Sequence, residues 1–248
     1  MIPYGKQDIS PEDIEEVVKV LNSDFLTQGP QVPRFEALVS DIVGSKFSIA
    51  MNSATSALHC ACLALGVQKN DLVWTSPVTF VASANCAIYC DAIIDFVDIN
   101  PKTYNICPVE LEKKLKQAKQ KNKLPKVIIV VHLCGQPADL EKIYELSKIY
   151  NFKVIEDASH AIGAKYQNLP IGNSKFSHIT IFSFHPVKII TSAEGGMAVT
   201  NDEQLFYRMS LLRTHGITKE VSSMIEVPDG EWYYEQIDLG FNYRMTDL

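Results

Sequence analysis

The chain has only six cysteines in 248 residues, no apolar run near the length of a membrane span, and no excess of positive charge. Cysteines this sparse cannot form the framework of a disulfide-stapled fold. On a helix Cys60 and Cys62 point to different sides, whereas Cys86 and Cys90 share a face. All are expected as small core residues or free thiols rather than metal ligands. A membrane helix needs roughly 20 consecutive apolar residues, and none is present. The start, Met1-Ile2-Pro3-Tyr4-Gly5-Lys6, lacks the apolar centre of a secretory signal, so a reducing cytoplasm is the expected compartment. Lys and Arg number 23 against 29 Asp and Glu, a net charge of -6, which offers no overall field to nucleic acid or an anionic membrane. The lysines from Lys113-Lys114 to Lys126 read as the solvated face of a helix and its exit. Zinc-ligand spacing, G-x-S-x-G, a P-loop and G-x-G-x-x-G are absent as well. What is present is ordinary for a globular chain, 46% hydrophobic and 21% charged, enough for a sizeable core in one large or two small domains.

Ser10-Pro11-Glu12-Asp13 has the signature of a helix start, with a hydroxyl cap, an early proline and acids at the positive end. Ile14, Val17, Val18 and Leu21 follow at helical spacing, and Thr27-Gln28-Gly29-Pro30 breaks the pattern. A second helix places Phe35, Leu38, Val39 and Ile42 on one face and runs to Gly44. Strand and helix signals then alternate. Strands are expected at 47–51, 71–75, 93–97, 127–132, 153–156, 179–183 and 197–200. Helices are expected at 54–65, 78–89, 111–122, 140–150 and 202–213. This alternation predicts a mostly parallel sheet covered by helices on both faces. No repeat, low-complexity tract or linker interrupts it.

Open sheets of this kind bind ligands at the carboxyl ends of their strands, and several polar groups fall there. Asn52-Ser53-Ala54-Thr55-Ser56 follows a strand and opens a helix; its N–H groups and hydroxyls hold a phosphate, or Ser53 simply caps the helix. Phe80 stacks on a planar ring or belongs to the core. Asp157 closes the apolar run Val154-Ile155-Glu156-Asp157, and Lys188 ends Ser183-Phe184-His185-Pro186-Val187-Lys188. A lysine that bonds an aldehyde and an acid that pairs with a pyridinium nitrogen are the two groups a pyridoxal phosphate enzyme must supply. A carboxylate at the end of an apolar strand needs a partner. A ring N–H⁺ satisfies that need, and so does a helix start at Ala158-Ser159-His160-Ala161. His160 then touches a ring hydroxyl or is a satisfied structural histidine. A lysine on a turn inside an apolar site loses its proton more readily, as attack on a carbonyl requires. His185 orients substrate or hydrogen-bonds its own turn. Glu194-Gly195-Gly196 reads as a tight turn into the next strand.

Asn52-Ser53-Ala54-Thr55-Ser56-Ala57-Leu58, Thr79-Phe80-Val81-Ala82-Ser83, Glu156-Asp157-Ala158-Ser159-His160-Ala161, the Lys188 segment and Asn242-Tyr243-Arg244-Met245 occur in that order over nearly the whole chain. Together they resemble the DegT/StrS-type nucleotide-sugar aminotransferases. The resemblance implies an α/β, aspartate-aminotransferase-like fold (fold type I of the pyridoxal phosphate enzymes), with a mostly parallel central sheet flanked by helices on both faces. It assigns residues 1–248 to the cofactor-binding large domain, including an N-terminal helical segment. Relatives continue past the Asn242 motif by about another domain's worth of chain, into a small C-terminal domain that this chain lacks.

The resemblance also implies roles. Lys188 matches the lysine that forms a Schiff base with pyridoxal 5'-phosphate, and Asp157 the partner of the pyridine nitrogen. Phe80 matches the stacking aromatic, and Ala54, Thr55 and Ser183 match phosphate-site positions. His160 stands where many relatives have glutamine. Asn242 matches an asparagine that reaches the cofactor phosphate of a neighbouring subunit, which implies a homodimer. Tyr4, the loop Leu26-Thr27-Gln28-Gly29, Ser53, His185, Tyr243 and Arg244 are similar to substrate-contacting positions. The Lys188 segment with Glu194-Gly195-Gly196, and the stretch from Trp232 to Arg244, are most similar to the flagellin-sugar branch. Enzymes of that branch aminate C4 of a UDP-linked 4-keto-6-deoxy-N-acetylhexosamine on the pseudaminic acid pathway, with glutamate as donor. The competing expectations are a UDP-4-keto-pentose (arabinose) aminotransferase, a sugar dehydratase of the same fold, whose members tend to carry histidine at the lysine position, and a noncatalytic cofactor- or sugar-binding fragment.

Overall fold

The computed structural model describes residues 5–248, so Tyr4 lies outside the described residues. Helix α1 spans Pro11–Leu21. The Ser10 hydroxyl accepts the Asp13 N–H, and the Asp13 carboxylate accepts the Ser10 N–H, a reciprocal cap. Its apolar residues Ile14, Val17, Val18 and Leu21 are exposed; Val20 is the buried one. Helix α2 spans Gln31–Val43, and no side chain at Pro30 caps it. Asp247, more than two hundred residues on, does this instead: its carboxylate accepts the N–H groups of Gly29 and Gln31, each at 2.8 Å. That places a negative charge at the positive end of the helix. Of the expected α2 face, Val39 is buried, whereas Leu38 and Ile42 are exposed.

The remaining elements follow in alternation: β1 Phe47–Met51, α3 Ala54–Ala64, β2 Leu72–Thr75, α4 Ala82–Ile88, β3 Ile93–Phe96, α5 Pro108–Gln120, β4 Val127–Val131, α6 Leu140–Tyr150 and β5 Lys153–Asp157. A small hairpin, β6 Lys165–Tyr166 with β7 Leu169–Pro170, precedes β8 Ile179–Ser183, β9 Gly196–Thr200 and α7 Glu203–Arg213. A second small pair joins β10 Ile217–Thr218 to β11 Glu235–Gln236.

The main sheet has seven strands in the order β1-β9-β8-β5-β4-β2-β3. β9 runs antiparallel to both its neighbours, and the other contacts are parallel. Successive side chains of a strand point to opposite faces, and here both faces are covered. On β4, Ile128 and Val130 pack with Val39 of α2, Leu115 of α5 and Ile143 of α6. Val127 and Ile129 pack with Leu58 of α3, Cys86 of α4 and Met209 of α7. This explains why β4 is apolar along its whole length rather than alternating.

Two local expectations, and one of the alternatives left open for Asp157, fail for physical reasons. The helix expected from Val78 starts only at Ala82. Side chains hold the preceding segment instead: the Thr79 and Ser83 hydroxyls bond each other at 2.8 Å, and Ser83 donates to the buried Asp157 at 2.6 Å. No helix forms at 158–161. Asp157 turns back to accept both the N–H and the hydroxyl of Ser159, a local bond that competes with helix formation. Lys114 and Lys126 are not simply solvated. Lys114 sits 4.6 Å from the Trp74 ring centroid and pairs with Asp95, and Lys126 pairs with Asp71 at 2.8 Å.

All six cysteines are free, and Cys60, Cys62, Cys86 and Cys90 are buried. Among the described residues no helix is long and apolar enough to cross a membrane.

Candidate active site

β4, β5 and β8 are parallel neighbours, so their carboxyl ends at Val131, Asp157 and Ser183 lie side by side. The start of α3 and the turn after β8 close over them to form a cleft of about 570 Å³, in the range of small-molecule sites. Of the residues singled out from sequence, this cleft gathers Ser53, Ala54, Thr55, Phe80, Asp157, His160, Ser183, His185 and Lys188.

Asp157 is 5% exposed. Its Oδ2 accepts the Ser83 hydroxyl at 2.6 Å, and its Oδ1 accepts the Ser159 hydroxyl at 2.6 Å and N–H at 3.2 Å. The Thr79 hydroxyl bonds Ser83 in turn. A carboxylate offers about four acceptor positions, so three donors leave room for one more. Ser83 and Ser159 were given no role from sequence. The signals for them were the Thr79/Ser83 spacing of one helical turn and a serine two residues after the acid.

Lys188 lies on the turn after β8, its N–H donating to the His185 carbonyl at 2.9 Å. Burial pushes the Lys188 amine below the ordinary lysine range, against the opposing pull of Asp157. Its Nζ is 2.8 Å from His160 Nε2. His160 is itself pushed down, first by burial and then by the Lys188 charge. On its other side, His160 Nδ1 accepts the Cys134 N–H at 3.3 Å.

At the start of α3, Ser53 caps the helix by accepting the Ser56 N–H at 3.1 Å. Ala54 and Thr55 in the first turn still line the cleft. Gly196 has to be glycine: a Cβ there would lie 2.3 Å from the Ala54 nitrogen. β9 therefore presses directly on this helix end. Phe80, 71% exposed on the late-starting α4 loop, presents an uncovered ring to the cleft. His185 Nδ1 accepts the Val187 N–H of its own turn at 3.5 Å.

The other sequence candidates lie elsewhere in this chain. Gln28, Gly29 and Arg244 line a smaller cavity of about 240 Å³ together with Arg213. Leu26 and Thr27 join the C-terminal segment through the Leu26 carbonyl and a bridge to Thr246. Tyr243 bonds His59 Nδ1 at 3.1 Å and stacks on Phe241, rather than facing the cleft. Asn242 is exposed, its carbonyl 3.4 Å from the Asn52 side-chain amide.

Residues 7–248 match the DegT/DnrJ/EryC1/StrS aminotransferase family. The UDP-4-amino-4,6-dideoxy-N-acetyl-beta-L-altrosamine transaminase of Campylobacter jejuni is 40% identical over 248 residues, covering 100% of this chain and 62% of its own length. The solved structure of Helicobacter pylori PseC, an aminotransferase involved in the biosynthesis of pseudoaminic acid, matches with a TM-score of 0.87 at 33% identity, over 99% of this chain and 62% of its own. NtdA of Bacillus subtilis with bound cofactor PMP matches with a TM-score of 0.80 at 28% identity, over 96% of this chain and 51% of its own. The chain thus spans about three fifths of the length of the first two relatives. The resemblance read from the motifs and the fold class it implied are both borne out.

Proposed function

This chain belongs to the DegT/DnrJ/EryC1/StrS aminotransferase family, and from that premise we propose that it is the cofactor-binding large domain of a pyridoxal phosphate-dependent nucleotide-sugar aminotransferase. The observation that carries the reading is the joint placement of Asp157 and Lys188 in one cleft. The residues present suit the cofactor. Buried Asp157 keeps one acceptor position beyond its three donors, which suits a protonated ring nitrogen. The first turn of α3, with Ala54 and Thr55, suits a phosphate, with Ser183 beside it. Phe80 offers a face to the ring.

When bound, pyridoxal phosphate supplies an aldehyde that takes up and returns an amino group, and a ring that withdraws electrons. The chain's own residues do the rest. Asp157, held by Ser83 and Ser159, would keep a proton on the ring nitrogen. Lys188 would hold the cofactor's aldehyde, and its free amine would be placed to take a proton from the α carbon of the amino donor. A depressed lysine is suited to both tasks, because each needs the free amine.

For the substrate we favour C4 of a UDP-linked 4-keto-6-deoxy-N-acetylhexosamine, with glutamate as donor. The names of the Campylobacter and Helicobacter relatives support the sugar, and the family resemblance supports the donor. The test is the complete protein, incubated with glutamate and a panel of nucleotide ketosugars, with products identified by NMR. The expected product is the 4-amino-4,6-dideoxy-N-acetylhexosamine. Turnover confined to a 4-keto-pentose would move the substrate to the arabinose type, and a deoxygenated product would overturn the aminotransferase reading.

Exposed Asn242 is proposed to complete the site of a second subunit. Mixing full-length Lys188→Ala with full-length Asn242→Ala should then create hybrids with one intact site, recovering up to about half of wild-type activity per hybrid. Absence of recovery, after subunit exchange is verified, would place Asn242 outside a shared site.

A further inference from the structure

We propose that the backbone N–H of Cys134 fixes His160 as its Nε2–H tautomer, and that His160 thereby holds Lys188 as a free amine before the cofactor arrives. The proposal rests on the reading of Lys188 as the reacting lysine and makes His160 a positioning residue for it. A neutral imidazole has one donor and one acceptor nitrogen, and the partner of one fixes the other. Cys134 donates its N–H to Nδ1 at 3.3 Å, so Nδ1 presents a lone pair and the ring proton sits on Nε2. Nε2 lies 2.8 Å from Lys188 Nζ. An ammonium has three donors and no acceptor, so Nε2–H finds a partner there only if Nζ carries a lone pair. The proton that leaves the ammonium goes to solvent through the open cleft. An imidazolium, or the Nδ1–H tautomer, would instead point a ring N–H at the Cys134 N–H.

The turn that delivers this N–H is held in an unusual conformation. Cys134 and Gly135 are consecutive left-handed residues, with φ of 53° and 83°. A Cβ on Gly135 would sit 2.7 Å from the His160 carbonyl oxygen, so only glycine allows this close an approach. Two side chains clamp the turn. Asn105 accepts the Leu133 N–H at 3.0 Å and donates to the Gln136 carbonyl at 2.9 Å. His132 Nδ1 accepts the Ala138 N–H at 3.1 Å. His132 is itself held by the buried Glu156 at 2.8 Å. Backbone strain maintained by surrounding contacts is typical of functional sites, and here its product is an N–H aimed at His160.

The other titratable groups lining the cleft are Asp157 from β5, His132 at the end of β4, His185 on the Lys188 turn and Glu194 before β9. Burial pushes both groups toward their neutral forms and Asp157 pulls both the other way, while any charge on Lys188 further disfavours an imidazolium at His160.

The test uses the cofactor-free chain. Long-range proton–nitrogen NMR on histidine-labelled protein at pH 7.5, with His160 assigned by its loss in His160→Gln, should show Nε2 protonated and Nδ1 bare. The Nδ1–H tautomer, or an imidazolium, would overturn the proposal. In parallel, trace acetylation of lysines across pH is read peptide by peptide. His160→Ala should lower Lys188 reactivity at pH 8 by about two- to tenfold, the worth of one hydrogen bond. His160→Gln, whose amide still offers an N–H, should restore most of it. A Lys188 profile unmoved by His160→Ala would also overturn the proposal, and if that variant fails to fold, the wild-type tautomer decides. Neither measurement involves cofactor. If Lys188 is not the reacting lysine, cofactor attaches elsewhere while the tautomer and the Lys188 profile stand; if the proposal fails, the tautomer is wrong or the profile is unmoved while cofactor still attaches to Lys188.

Discussion

Asp157→Asn in the complete protein should slow amino transfer from glutamate to the cofactor by at least about a hundredfold, the scale on which a catalytic site loses a charge-stabilising group. The substitution keeps shape and most hydrogen bonding. The asparagine carbonyl can still accept from Ser159, and Ser83, which now donates to Oδ2 at 2.6 Å, can rotate to accept from the new amide. The Thr79 hydroxyl adjusts with it. What disappears is the negative charge that holds a proton on the ring nitrogen. The rate of the spectral change on adding glutamate to the cofactor-loaded protein reads this directly. A near-normal rate in Asp157→Asn would reduce Asp157 to a turn-forming residue.

Lys188→Ala should have the larger effect, a loss of at least about a thousandfold in the same half-reaction, because the variant removes both the group that bonds the aldehyde and the base that moves the proton. Cofactor should still bind, held by the α3 end and Asp157, but wash out on denaturation even after borohydride treatment. Activity within about tenfold of wild type would mean that another amine does the work.

Much of this site was legible locally. Ser10 as a cap, β4 as a fully buried strand and the polar residues at the strand exits follow from periodicity and from the chemistry of neighbours in sequence. So does the depressed amine of Lys188, expected from a lysine on a turn in an apolar site. What was not legible depends on groups far apart in the chain. Ser83 meets Asp157 from 74 residues away, and Asp247 caps α2 across the whole chain. The contact of His160 with Lys188 and the Cys134 N–H arises only once β4, β5 and β8 are aligned. The two misplaced helix starts have a local cause of a different kind. At 158–161 the Asp157 carboxylate takes the Ser159 N–H, a bond that competes with the first helical turn, and at 78–81 the Thr79 and Ser83 hydroxyls tie the chain in a turn ahead of α4. Periodicity does not register that competition.

Every role assigned to this cleft depends on Lys188 holding the cofactor. Borohydride reduction of the pyridoxal phosphate-loaded protein, followed by digestion and mass spectrometry, tests it most directly: the cofactor mass should appear on the peptide containing Lys188. Its appearance on a different lysine, or on none, would contradict the claim.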